Sequence, residues 1–236
     1  MMAMQFIWSL AKICTDDMSS YSWLMGSVDA KFKDEGAAEI ADKALGSWPC
    51  ARLEGFGSDF TLEWAHVYCV RADSWFNDNL VATFVKTLAN KYSSNTTIFL
   101  PALKTPASAR GKRIPPPTLS LVVGATEQFV FMPLNINSSH WTCLVLDSAT
   151  KTIYCYDNMD KRSHHNLSLH HPYQITSVHN PLQNDGHNCG LFICLFFWRR
   201  LAKEVGSDYT ESGLMRRRWD ILRMALPATK TSTTTD

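Results

Sequence analysis

The stretch LQNDGHNCGLFICLFFWRRL, Leu182–Leu201, sets Cys189 between a Gly/Asn/Asp-rich run and a long apolar segment. The first half has the residues of a turn. The second is apolar nearly all round and ends in basic residues, as suits a buried helix with a favourable C-terminal charge. Cys189 therefore stands where a helix begins, and two readings compete there. Free cysteine is among the most buried residue types, so the thiol fits a core position. A thiol at a helix N-terminus also meets the positive end of the helix dipole, which favours the nucleophilic thiolate. Gly186 and Gly190 let the preceding loop turn sharply and lie close to its neighbours. Cys194, flanked by Ile193 and Leu195, suits the core better than Cys189 does.

Upstream, EQFVFMPL, HWTCLVLDS and TIYCYDN are rich in β-branched and aromatic residues, and QITSVHN adds a fourth strand candidate. HWTCLVLD and TIYCYD are separated by a short turn around Ser148 and Ala149, which predicts an antiparallel hairpin. A turn centred there pairs residues whose numbers sum to about 297 or 298, setting His140 opposite Asp157 or Asn158. An imidazole beside a carboxylate is the orienting half of a catalytic triad: the carboxylate fixes the tautomer and stabilises the imidazolium. Taken alone, such a pair is commoner as a surface hydrogen bond. With Cys189 it supplies base, orienter and nucleophile. Attack on a carbonyl also needs donors for the developing oxyanion. The Cys189 N–H is one candidate and the Gln183 side-chain amide another.

Further out, SWFNDNLVATFVKTLANKY (Ser74–Tyr92) places Leu80, Phe84, Val85 and Leu88 on one helical face, with Ser74 or Asn77 as cap. DEGAAEIADKAL suits a short helix ended by Gly46 and Pro49, and ESGLMRRRWDILRMAL a last amphipathic one. TTIFLP reads as a short strand and KTPASARGKRIPPPT as an exposed loop. The expected fold is α+β, a small central mixed or antiparallel sheet covered by helices, with a nucleophile at a helix N-terminus. The expected organisation is a partly helical extension over 1–60, a catalytic domain over 61–227 and a disordered tail over 228–236.

Composition narrows the function classes. The 236 residues carry 23 Lys plus Arg against 22 Asp plus Glu, so no global field favours nucleic acid or an anionic membrane. The start of the chain is too short in apolar residues for a secretory signal, and no run approaches a membrane span. Seven cysteines without CxxC spacing argue against a disulfide framework or structural zinc. The expectation is a soluble intracellular protein with reduced thiols and no metal or cofactor. HHNLSLHH (His164–His171) reads as a polar loop rather than a metal site, and Arg216–Arg218 as a solvated helix face rather than a nucleic-acid surface.

In chain order the segments SWFNDNL, HWTCLVLD, YCYDN and QNDGHNCG resemble the ubiquitin-like-protein-specific cysteine protease family, the SUMO-protease group related to adenovirus proteinase. The order His, Asp, Gln, Cys distinguishes this group from Cys-first papain-like enzymes. The resemblance implies a cysteine-protease fold of the adenovirus-proteinase type. It implies His140 as general base and acid, Asp157 as its partner, Cys189 as nucleophile and Gln183 as oxyanion donor. Trp75 and Trp141 resemble the aromatic pair that encloses a narrow channel for a diglycine tail, and Asp78 the acidic residue that contacts a basic patch on the modifier. Phe76 replaces the family's usual Leu, and Asn188 the common Asp before the cysteine. The implied function is a thiol protease or isopeptidase acting after the Gly-Gly of a ubiquitin-like modifier, SUMO favoured, as a monomer, with a nuclear or cytoplasmic address. An acetyltransferase using the same Cys–His–Asp site and a non-catalytic modifier-binding module are the alternatives.

Overall fold

A computed structural model describes residues 2–33, 35–56, 60–94, 97–101, 103–105, 126–159, 173–202 and 205–226. The His-rich run 164–171, the tail 228–236 and most of the Pro-rich loop lie outside the described residues. The chain divides into two compact units, one formed by Met1–Ala72 with Thr210–Asp236, the other by Asp73–Tyr209.

In the first unit, helix α1 (Met2–Trp23) runs without a break into a π-helical turn, Leu24–Asp29, and a last α-turn, Ala30–Phe32. Lys33, in the left-handed region, ends it. Sequence reading did not mark α1. Its Met4, Phe6, Ile7 and Trp8 are exposed rather than gathered into a core stripe, so the periodic signal that reveals a helix is weak there. Helix α2 (Glu35–Leu45) matches the expected segment and stops before Gly46. A two-residue ladder joins β1 (Arg52–Leu53) to β2 (Leu62–Glu63), and α3 (Trp64–Val67) follows.

The second unit opens with α4 (Asp78–Tyr92), whose N-cap is Asn77: its side chain accepts from the Leu80 N–H at 2.8 Å. A six-stranded mixed sheet then forms from β3 (Thr97–Phe99), β4 (Leu103–Thr105), β5 (Phe129–Ile136), β6 (His140–Asp147), β7 (Thr152–Tyr156) and β8 (Gln174–Val178). Strands β5, β6 and β7 form the antiparallel centre. β3 and β4 lie in succession, parallel, along one edge of β5, and β8 lies parallel to β7.

Alternation gives the sheet two apolar faces. Val130, Met132, Leu134, Leu144, Leu146, Ile153 and Cys155 form one cluster. On the other face Phe131 meets Phe197 of helix α5 (Cys189–Leu201) edge to face, and Trp198 of α5 meets Phe84 of α4. α5 is buried from Cys189 to Phe197, as its all-round apolarity requires.

The first unit closes with α6 (Glu211–Ala225), capped by Thr210. The expectation of a solvated basic face fails at Arg218. That side chain is buried and donates to the Val70 and Arg71 carbonyls at 3.0 and 2.6 Å. A guanidinium with five donors here serves carbonyls at the end of the short helical turn Tyr68–Val70, which a charge count along the helix does not reveal.

Candidate active site

The β6–β7 hairpin forms, in a register one or two residues from the two expected ones. Its pairs include Cys143 with Tyr156 and Asp147 with Thr152. The reason is the turn. It holds four residues, 148–151, with Lys151 at φ 49°, so the strands are offset from the arrangement a turn centred on Ser148 and Ala149 would give. Continued outward, this register sets Asp157 across from Thr142, two residues along from His140. The His–Asp contact is therefore diagonal rather than directly opposed, and residues two apart on a strand still share a face.

That contact is made: His140 Nε2 and Asp157 Oδ1 are 2.9 Å apart, with His140 3% and Asp157 0% exposed. A carboxylate only accepts, so it holds the proton on Nε2 and leaves Nδ1 with its lone pair. Nδ1 is buried with no hydrogen bond of good resting geometry. The Cys189 thiol nonetheless lies close enough to act on the ring. Burial by itself pulls the His140 pKa down. Hydrogen bonds to Asp157 and Cys189, with their charges, outweigh it and leave the pKa raised. Catalytic hydrogen bonds are often loose before substrate arrives.

Two turns bring these groups together. His140 is delivered by the tight β5–β6 connection 137–139, where Asn137 and Ser138 both adopt positive φ (56° and 53°). Cys189 is the first residue of α5, so its N–H belongs to the helix-start amides that have no partner inside the helix. Beside it, a Cβ on Gly190 would stand 2.7 Å from the Phe76 Cβ and 3.1 Å from Trp141 Cδ1. Only glycine fits without displacing that wall.

Gln183 is fully engaged within its own neighbourhood. Its N–H donates to the Asn158 carbonyl at 2.7 Å, its Oε1 accepts from Asn158 Nδ2, and its Nε2 donates to Asp185 O and Oδ1 at 2.7 and 2.9 Å. Its donors thus face Asp185 in this structure. Asp185 organises the whole loop. Its Oδ1 accepts the His187 and Asn188 N–H groups, both at 2.8 Å, and its Oδ2 accepts Asn188 Nδ2 at 2.8 Å. Burial raises the Asp185 pKa, but these hydrogen bonds outweigh it and hold the carboxyl below its ordinary value. The role of Asp185 was missed from sequence, although Asn-Asp-Gly is a turn signature whose aspartate bonds backbone two residues on.

Trp75, Asp78 and Trp141 border one groove of about 280 Å³ together with His140. Trp141 is buried, its Nε1 donating to the Phe76 carbonyl at 2.9 Å, whereas Trp75 is 48% exposed. Asp78 Oδ1 accepts from Asn135 Nδ2 at 2.6 Å. Two further thiols, Cys143 and Cys155, lie buried in β6 and β7. Burial, then the neighbouring Cys155, pushes the Cys143 thiol well up, and burial, then the Asp157 charge, pushes Cys155 up to about 12. All seven cysteines are free. Among the described residues no group of His, Cys, Asp and Glu could hold a metal ion, and no helix is long and apolar enough to cross a membrane.

Comparison with known proteins agrees with this architecture. Residues 125–177, which include His140 and Asp157 but stop before Cys189, match the Ulp1 protease family, C-terminal catalytic domain. Ubiquitin-like-specific protease 1 of Saccharomyces cerevisiae is 23% identical over 165 residues, covering 61% of this chain and 26% of that protein. The chain thus spans about a quarter of the curated relative's length. Two solved structures share the fold at 16% identity. The Ulp1 protease domain in complex with Smt3, the yeast ortholog of SUMO, aligns with TM-score 0.55 over 81% of this chain and 95% of that one. SUMO protease Ulp1 with its catalytic cysteine oxidised to a sulfenic acid aligns with TM-score 0.57 over 82% and 94%. The chain thus matches the Ulp1 protease family over residues 125–177 and has the fold of the Ulp1 catalytic domain.

Proposed function

We propose that this protein is a cysteine peptidase that cleaves after the C-terminal Gly-Gly of a ubiquitin-like modifier, SUMO favoured, releasing a precursor extension or a lysine conjugate. The observation that carries the reading is the buried His140–Asp157 pair at 2.9 Å, acting on a thiol at the first residue of α5. In this scheme Cys189 Sγ, its proton taken by His140 Nδ1, attacks the terminal glycine carbonyl. The imidazolium returns that proton to the leaving amine as the C–N bond breaks. Water, deprotonated by His140, then attacks the thioester, and the C–S bond breaks to free the carboxylate and the thiol. Asp157 stabilises the imidazolium throughout.

The Cys189 N–H and the Gln183 amide are proposed as oxyanion donors, the latter turning from Asp185 as the tetrahedral intermediate forms. Trp75 and Trp141 are proposed walls of the tail channel. Side-chain exclusion by such walls would select glycine. An intracellular setting fits free thiols; a nuclear address rests on the resemblance alone.

The test is a panel of ubiquitin-like modifiers bearing C-terminal electrophiles. The expected result is a covalent adduct with at least one of them that disappears in Cys189→Ala. Absence of any Cys189-dependent adduct, with acetyl transfer from acetyl-CoA to protein instead, replaces the proteolytic reading with an acyltransferase.

A further inference from the structure

Asn135 lines the groove beside His140 and is only 6% exposed. The β5–β6 register sets it directly across from Trp141, so the two side chains share a face. Its Nδ2 donates to Asp78 Oδ1. Because a carboxylate can only accept, this bond fixes which end of the amide is which. The other end, Oδ1, is then a buried acceptor without a hydrogen-bond partner among the described residues. Buried amide oxygens are nearly always paired, and this orphan belongs to a residue that lines the groove.

We propose that Asn135 positions the substrate: its Oδ1 accepts a main-chain N–H of the extended tail lying between Trp75 and Trp141, and Asp78 acts through it by holding the amide's orientation. This rests on the reading of the groove as the tail channel. It gives Asp78 a different task from contact with a basic patch on the modifier, since one of its oxygens is engaged inside the groove. An acceptor aimed at the main chain reads an extended backbone whatever its side chains, while the aromatic walls limit their size. The two devices together favour a glycine-rich tail over a folded loop.

The experiment uses the full chain carrying Cys189→Ala and semisynthetic SUMO-type modifiers whose tails have one backbone amide at a time replaced by an ester, which removes a single N–H. At one tail position the ester is expected to weaken binding by about 3- to 10-fold, one hydrogen bond's contribution. Asn135→Leu, of similar shape, is expected to weaken the all-amide modifier by the same factor and to be insensitive to that ester. Equal ester effects with and without the Asn135→Leu substitution overturn the proposal. Should the leucine variant fail to fold, an ester scan with no sensitive position does the same. With Cys189 restored, Asp78→Ala is expected to raise KM on a short fluorogenic Gly-Gly tail peptide as much as on the whole modifier, with kcat little changed. An effect confined to the whole modifier returns Asp78 to surface docking. If no modifier binds or reacts at Cys189, the peptidase reading falls and this inference with it. If modifiers react but the ester effects do not depend on Asn135, the inference alone falls.

Discussion

The two ends of the β6–β7 hairpin carry buried aspartates with similar local bonding and different consequences. At the turn, Asp147 Oδ1 accepts the Ala149 and Thr150 N–H groups at 3.1 and 3.4 Å. At the open end, Asp157 Oδ1 accepts the Met159 N–H at 3.1 Å and also the His140 ring at 2.9 Å. Both side chains stabilise a turn two residues on. What separates them is what the tertiary structure brings beside them. Among the described residues no imidazole bonds to Asp147, whereas β6 and the 137–139 turn bring an imidazole to Asp157, and the start of α5 brings a thiol to that imidazole. A carboxylate becomes functional through the group it orients.

Breaking the open end has the largest expected effect. Asp157→Asn keeps the shape of the turn but loses the charge that stabilises the imidazolium, and kcat is expected to fall on the order of 10³- to 10⁴-fold. Residual turnover within tenfold of the parent protein would show that Asp157 is no more than a turn residue, like Asp147. The pH profile sharpens this. The Asp157 hydrogen bond and charge raise the His140 pKa against burial, so their removal lowers it, and the alkaline limb of the thiolate–imidazolium profile moves to lower pH. A raised folded pKa stabilises the fold fully below the unfolded histidine value and is lost as pH rises through the folded one. Asp157→Asn should therefore cost more stability in acid than in alkali, as read by thermal melts across pH.

Gln183→Ala comes next, with kcat expected to fall on the order of 10²- to 10³-fold if the amide leaves Asp185 for the oxyanion. Unchanged kinetics would mean that its bonds to Asn158 and Asp185 are its whole task.

On the Cys189 side the same contrast is set by two glycines. Gly190→Ala puts a Cβ against Phe76 and Trp141 and is expected to cost about 1–3 kcal/mol, seen as a lowered Tm, with loss of turnover as the wall moves. Gly186→Ala meets nothing within 4 Å and should stay within about 0.5 kcal/mol. At the turn end the expected effect is on stability alone. Asp147→Ala should lower stability by about 1 kcal/mol, about 2–4 °C in Tm, and leave kcat/KM unchanged. A catalytic loss there would erase the distinction between the two ends.

Much of this was legible in the residues. Asn77 capping α4, the strand pair that brings His140 near Asp157, and the start of α5 at Cys189 all follow from local chemistry: capping preference, β-propensity with a short connection, and an apolar run after turn residues. The hairpin register that set His140 opposite Asp157 was read two residues off, because a positive φ at Lys151 is a choice the chain makes only when folded. The contact survived the error, since a diagonal neighbour two residues along stays on the same face. Helix α1 left no periodic trace, and Arg218 looked like one of three surface arginines until the carbonyls it binds were placed around it.

The sequence by itself determined which groups are present, where α5 and the central strands begin, and that a thiol, an imidazole and a carboxylate sit at element ends. Those properties depend on residues near one another in the chain. The tertiary structure alone decided that Asn158 engages Gln183, that Gly190 is clasped by Phe76 and Trp141, and that Asp78 holds Asn135. Each of these depends on which side chain from a distant segment reaches the same few ångströms first, and hydrogen bonding at that range is set by packing rather than by spacing along the chain.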